Sequence, residues 1–312
     1  MTATRAWPPL RLAGGLLVLG VLVWRFGAGP FADALRMTTW TSVLLALILT
    51  ALATLANAWR WRVVSHALGV PLTGGRSVAA YYRSQFLNAA LPGGMLGDAH
   101  RGALHGRAAG DLGAGLRAAV WDRVSGQLVQ GGLLVVGLLV LPTPLRGYAP
   151  VALATLSAVG LLGWWLGRRR GAAAFVGRDL HMLLRPAVVT RVAAASFAST
   201  VAHLAVFGVA VHSVGVDIAP TLLVALGPVV LVGSAVPLTI AGWGPREGVT
   251  AAVFALVGLG SANGLTVSVL FGVLAAVATV PGLLVLLADA VVRRRRPTVS
   301  ARARTLEEAH RG

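Results

Sequence analysis

The chain alternates long stretches free of charge with short segments that carry arginine, glycine and proline. Residues 37–59, 124–145, 147–167, 192–216 and 218–245 are uncharged runs near or above the ~20 apolar residues that a membrane-spanning helix requires, and each is predicted to cross. Residues 248–288 are uncharged throughout. As one helix rising ~1.5 Å per residue they would reach about twice the ~30 Å hydrocarbon thickness, so this run is predicted to fold back around Gly258 to Gly264. Residues 12–24 form a shorter run that spans only if Arg11 and Arg25 snorkel to the interfaces. A cleaved signal peptide is the alternative for that run, and a clear small-x-small cleavage site is missing. Between the second and third spans, residues 63–97 hold apolar pieces too short to cross, including VVSHALGV and FLNAALPGG, and a re-entrant hairpin is expected there. The resulting fold class is all-α: a polytopic membrane helix bundle of about eight transmembrane helices, with one or two re-entrant or broken segments.

Composition supports the pattern. With 56% hydrophobic residues, 12% charged residues and a mean hydropathy of +0.78, the chain is too apolar for a soluble domain of its length. Cysteine is absent, which excludes disulfides and thiolate chemistry. Lysine is absent too, which removes the phosphate-loop lysine and Schiff-base chemistry and argues against ATP hydrolysis. The net charge of +17 could suggest nucleic acid, but its distribution argues for membrane orientation. With the N-terminus in the cytoplasm, 24 of the 27 arginines fall inside, and Arg25, Arg36 and Arg146 fall outside. Trp7, Trp24, Trp40, Trp59, Trp61, Trp121, Trp164 and Trp165 lie at or near segment ends, as an aromatic belt would. Residues 1–292 thus read as one integral membrane domain and 293–312 as a basic cytoplasmic tail able to touch anionic lipid, with no soluble domain expected. The expected location is the plasma (inner) membrane, both termini cytoplasmic.

Two stretches share a pattern inside this apolar sequence: Pro92, Gly97 and Arg101 in LPGGMLGDAHRG, and Pro237, Gly242 and Arg246 in VPLTIAGWGPREG. Glycine is abundant, so three matched positions are weak grounds for an internal repeat, and chance is the competing reading. Broken backbone survives at membrane depth only when buried in protein or lining a wet cavity, and an arginine there needs a partner. If residues 218–245 cross fully, both copies lie on the cytoplasmic side; if they turn back, the copies form an inverted pair with a site near the midplane.

Each copy has a functional and a structural reading. In the first, Asn88, Gly94 and Asp98 accompany Arg101; the glycines permit close approach of backbone to a ligand, and Asp98 can pair with Arg101 three residues on. The alternative is a solvated loop with an incidental ion pair. In the second, Gly244 can cap a helix that starts at Pro245, with Glu247 in its first turn. Glu247 then either supports its own helix only, or holds Arg246 while that guanidinium and the exposed amides bind an anion. Asp122 and Arg123 are expected to open the third span, with Arg123, Gln127 and Gln130 on one face pointing into the bundle; hydrogen bonding that only joins helices is the alternative. Arg60 and Arg62 read as topological anchors, and His100 and His105 as loop residues. His203, near Ser196, Ser199 and Thr200, reads as a hydrogen-bonded core histidine outside the site. The candidate set for binding an anionic headgroup is therefore Asn88, Gly94, Asp98, Arg101, Asp122, Arg123, Gln127, Gly242, Gly244, Arg246 and Glu247. No catalytic residue, metal ligand or cofactor is assigned.

Four stretches carry a resemblance: NAWRWRVV at 57–64, FLNAALPGGMLGDAHR at 86–101, DRVSG at 122–126 and VPLTIAGWGPREG at 236–248. Through them the chain resembles the transmembrane, flippase-like domain of lysylphosphatidylglycerol synthases and its stand-alone relatives, over most of residues 37–290. The last stretch is the most specific. Asp122 stands where that family usually has glutamate, LGD replaces GGD, and Trp243 and Pro245 replace aliphatic residues. The resemblance implies a helical membrane domain that binds or moves polar-headed lipids. The large synthases add a soluble aminoacyl-transferase domain; the chain is expected to stand without one, so lipid aminoacylation is not implied.

Three functions compete at this stage. The first is a lipid-binding or lipid-translocating protein whose partners are membrane lipids with anionic headgroups and not nucleic acid. The second is an enzyme acting on a lipid-linked polyprenyl phosphate substrate with Asp98, Asp122 or Glu247 as base, though no close carboxylate pair supports it. The third is an accessory subunit of an envelope-lipid enzyme.

Overall fold

The computed structural model describes residues 20, 23–24, 27–91, 94–140, 173–235 and 244–295. The spans expected at 12–24, mostly, and at 147–167, together with Pro92, Pro237, Gly242 and the tail beyond 295, lie outside the described residues. In chain order the helices are α1 Gly29–Arg36, α2 Trp40–Ala67, α3 Gly74–Ala90, α4 Leu96–Ala108, α5 Leu112–Val140, α6 Ala173–Leu183, α7 Pro186–Ser213, α8 Pro220–Ala235, α9 Pro245–Leu256, α10 Ser261–Ala278 and α11 Val280–Arg295. The described residues include no strand.

Local sequence explains where the helices start and which way they face. Thr39 and Ser42 exchange side-chain hydrogen bonds with each other's backbone N–H groups, a reciprocal cap that fixes the start of α2. Along α2, Leu44, Ile48, Leu52 and Leu55 are exposed and form one apolar stripe, while Thr50, Thr54 and Asn57 are buried on another face. Such a helix is inside out for water and right for lipid. By length and composition, Trp40–Ala67, Pro186–Ser213 and Ser261–Val292 can each cross a membrane. The last joins α10 and α11 into one rod, and the fold-back expected within 248–288 is the turn at Gly258 and Gly260, both with positive φ.

Two expected elements differ. Within 218–245 the described residues are those up to Ala235, where α8 is helical from Pro220, together with Gly244, whose φ of 119° is not helical, and Pro245, which starts a new helix, α9. Helix α9 packs against α8, with Gly233 facing Val249. Asp122 and Arg123 do not open a helix either; α5 begins at Leu112 and runs through them. Of the stretch 63–97 expected as a re-entrant hairpin, residues 63–67 complete α2, and the remainder holds α3 and the break around residues 91–95 that leads into α4, which packs closely on α3.

These elements form two matching units. Helices α2 and α7 have 28 residues each and start at Trp40 and Pro186; α3 and α8 start the same distance apart, at Gly74 and Pro220. After each break, α4 and α9 start at Leu96 and Pro245, and α5 and α10 at Leu112 and Ser261, again at a constant spacing. The packing repeats as well. Glycines carry the close approaches, as they do where lipid offers no hydrophobic drive for helix association. Gly115 of α5 lies on Gly106 of α4, and Gly264 of α10 lies on Thr250 and Phe254 of α9. Farther along, Gly137 of α5 meets the Ala225 backbone of α8, and Gly282 of α11 meets the Tyr82 backbone of α3, so each unit reaches across to the broken pair of the other. Helices α2 and α7 run antiparallel. Val64 late in α2 and Leu68 just after it share a packed cluster with Val192 early in α7, Arg60 reaches Ser196, and Ala46 early in α2 shares a cluster with Ala210 and Val211 late in α7. The units are therefore an inverted repeat.

Candidate functional site

Polar residues on the inner face of each unit meet in one cavity of about 400 Å³. Behind its wall on the first unit lies Asp122, fully buried on α5. Arg60 Nε donates to Asp122 Oδ1 at 2.8 Å, and Arg101 Nη2 and the Tyr81 hydroxyl donate to Oδ2 at 3.0 and 3.2 Å. Arg60 also donates to Ser196 Oγ at 3.2 Å, which ties α2 to α7. Gly126 makes room for it, because a Cβ there would lie 2.6 Å from Arg60 Nη1. The Arg101 guanidinium is stacked between Trp61 and Tyr81, 4.4 and 4.2 Å from their ring centres. Its Nε and Nη1 are buried with no hydrogen-bond partner among the described residues.

Asp98 is the second hub. It lies in the first turn of α4 and accepts from Ser84 at 2.9 Å, Asn88 at 3.2 Å, Arg101 at 2.9 Å and Arg123 at 2.6 Å. Asn88 Oδ1 accepts in turn from the Gly97 amide at 2.8 Å, so one side chain spans the break. Gly97 is required there, since a Cβ would sit 2.1 Å from the Ser84 carbonyl oxygen. Arg123 is the most accessible of these cations, its side chain 30% exposed. On the second unit, Glu247 is fully buried and accepts from the Gly244 amide and from Arg246 Nε at 3.0 Å. It caps its helix and holds the arginine at once, so both readings of this residue apply. Arg246 also donates to Ser268 Oγ at 3.2 Å and lies over Phe271, 5.3 Å from the ring centre. Gly244 has φ 119°, a conformation closed to residues with a Cβ.

The cavity wall includes Arg60, Arg101, Arg123 and Arg246 directly, with Asp98 beside them and Asp122 and Glu247 behind. Among the described residues, four guanidinium groups are thus set against three carboxylates. Asn88, Gly94, Gln127 and Gln130 also line it. Of the anticipated residues, Gly242 lies outside the described ones, and Gly244 acts through the helix start it forms.

Several expectations need correction. Arg60 is no interface anchor; it is 5% exposed and bound to Asp122, whereas Arg62 is exposed as an anchor would be. Trp61 is wholly buried beside Arg101, not at a headgroup layer. His100 and His105 are helical, and His105 packs edge-on to Trp61 and bonds the Val70 carbonyl. His203 does bond its neighbour Ser199 O at 2.7 Å, yet it also lines the cavity. The two arginines matched by sequence are not equivalent: Arg246 is the second residue of α9, Arg101 the sixth of α4, and the equivalent third residues are the acids Asp98 and Glu247.

A readable signal for the repeat lies elsewhere. Thr50, Thr54 and Asn57 on α2 recur as Ser196, Thr200 and His203 on α7 at unchanged spacing, and Thr54 and Thr200 both donate to the carbonyl four residues back. Equivalent positions also meet at the cavity: Asn57 with His203, Asn88 with Ser234, and Gln130 with Thr279. The sequence model described as the Lysylphosphatidylglycerol synthase TM region matches residues 10–305. The chain belongs to this family. It is accordingly an integral membrane protein, in accord with its apolar helices. No protein of curated function matches the chain.

Proposed function

We propose that this family member binds, and moves across the membrane, a lipid with an anionic or otherwise polar headgroup. The observation that carries the reading is one cavity among apolar helices lined by four arginines, Arg60, Arg101, Arg123 and Arg246, against three carboxylates among the described residues. Arginine is costly in such surroundings, and an incoming phosphate or carboxylate supplies further acceptors to the guanidinium most open to the cavity, that of Arg123. Its inverted repeat is the architecture in which substrates bind between the units and alternate units open. We place the protein in the plasma membrane with both termini in the cytoplasm, and its partners are anionic lipids there.

The roles of the arginines divide by exposure: Arg123, its side chain 30% exposed, presents charge to the ligand, and the buried Arg60, Arg101 and Arg246 hold the wall together. The enzymatic alternative is disfavoured because Asp98, Asp122 and Glu247 are each held in ion pairs with arginine, and Asp122 and Glu247 lie fully buried behind the cavity wall. The test is mass spectrometry of lipids that co-purify with the wild type and with Arg123→Gln. The substitution keeps Asp98 paired through Arg101, Ser84 and Asn88. Anionic lipids enriched in the wild type should fall severalfold in the variant, together with transbilayer flux in vesicles. An unchanged lipid set and flux would reject the reading.

A further inference from the structure

The second unit brings polar groups of its own to the cavity, among them Ser199, Thr200, His203 and Ser234. His203 is set apart from the other ionisable residues of the described wall, because an imidazole is the side chain whose ordinary titration lies near neutrality. Its Nδ1 lies 2.7 Å from the Ser199 carbonyl oxygen, one turn back on α7. That oxygen only accepts, so Nδ1 carries a hydrogen and donates it. The neutral ring then keeps its lone pair on Nε2, the nitrogen that takes up a proton.

The charges around His203 are positive or already paired. From α2, Arg60 acts on it while bound to Asp122 of α5. From α5, Arg123 lines the same cavity and is paired with Asp98 of α4. Tyr81 on α3, Arg101 on α4 and Arg246 on α9 complete the ionisable wall, and Glu247 behind it is taken by Arg246. Helices α8 and α10, which also pack on α7, carry no ionisable residue. Among the described residues no acid hydrogen-bonds to His203, so an imidazolium there has no counter-charge of its own until an anion enters. We infer that His203 is a proton site coupled to the headgroup site: Nε2 takes up a proton as the anion enters the cavity and releases it as the anion leaves. This rests on the lipid-binding reading above and extends it to the ion that accompanies the lipid. The coupling is reciprocal, so a lower pH tightens binding of the anion by as much as the anion favours the proton. A singly charged headgroup and one proton add no net charge to the cavity, and a difference in pH across the membrane then drives the lipid towards the alkaline side.

The test uses the full chain in nanodiscs of neutral lipid, with empty nanodiscs as the blank. The probe is short-chain phosphatidylglycerol, a phosphodiester that keeps its single charge between about pH 5 and 8, the range in which histidine changes its own. Calorimetry in two buffers of different ionisation enthalpy gives the affinity and the protons taken up per lipid bound. Affinity should rise as pH falls, by at most about tenfold per pH unit, the limit for one coupled proton, with uptake of up to about one proton per lipid. His203→Gln should hold the weaker affinity of the alkaline wild type at every pH, with no uptake. His203→Asn, which installs the residue of its counterpart Asn57, should do the same, and thermal unfolding checks that both variants fold. A flat profile without uptake in the wild type, or a slope and uptake that persist in either folded variant, overturns the proton site and leaves lipid binding standing. Absence of saturable binding to the wild type at any pH overturns the proton site and the lipid-binding reading together.

Discussion

Arg101 donates through one nitrogen to both Asp98 and Asp122 and fills the space between Trp61 and Tyr81 with its plane. Removing one partner of a buried charge cluster typically costs about 3–5 kcal/mol, because the other charges stay buried. Arg101→Ala should therefore lower the detergent-solubilised unfolding temperature sharply. Arg101→Lys should not restore it, since an ammonium neither stacks as a plane nor forks between two acids. Equal stability of the lysine variant would show that charge alone matters there. The pairing of Asp98 with Arg101 was visible from their separation of three residues. The pairing of Arg60 with Asp122 was not, because it joins residues on separate helices through tertiary packing. Thr50, Thr54, Asn57 and Arg60 nonetheless recur at helical spacing, a polar stripe in an apolar helix that points to a wet face.

At the level of elements, the breaks depend on single backbone positions. Gly244→Ala places a Cβ on a residue with φ 119° and should cost about 1–3 kcal/mol, loosening the start of α9 and with it the Glu247 cap. Gly126→Ala crowds the Arg60 guanidinium from α5 and should also destabilise by about 1–3 kcal/mol. Thermal unfolding measures both, and a neutral Gly126→Ala would mean that Arg60 has room to move. Proline and glycine around residue 92, and Gly244 with Pro245, announced the breaks at 91–95 and at Gly244, because neither residue type continues a helix well. Apolar run length gave no sign of the restart at Gly244, because it counts residues that can lie in lipid whether or not the helix continues through them.

For the whole molecule, the inverted repeat predicts exchange of exposure between equivalent positions. Asn88 and Ser234 both line the cavity next to their unit's break. The chain has no cysteine, so Asn88→Cys and Ser234→Cys can be probed separately without background. In oriented vesicles, an impermeant thiol reagent should label one site more and the other less when an anionic lipid is added. Changes of the same sign at both sites would argue against alternating units.

Sequence by itself determined that the chain is helical, that it lives in a membrane, where its helices break, and that arginine sits close to those breaks. Each of these follows from local chemistry: apolar length, absent charge, and residues that cannot continue a helix. Tertiary structure alone decided which acids pair with which arginines, that Trp61 is buried, and that the repeat aligns Asp98 with Glu247 and not Arg101 with Arg246. Those outcomes depend on the antiparallel packing of α2 against α7, which brings the buried faces of distant segments around one cavity.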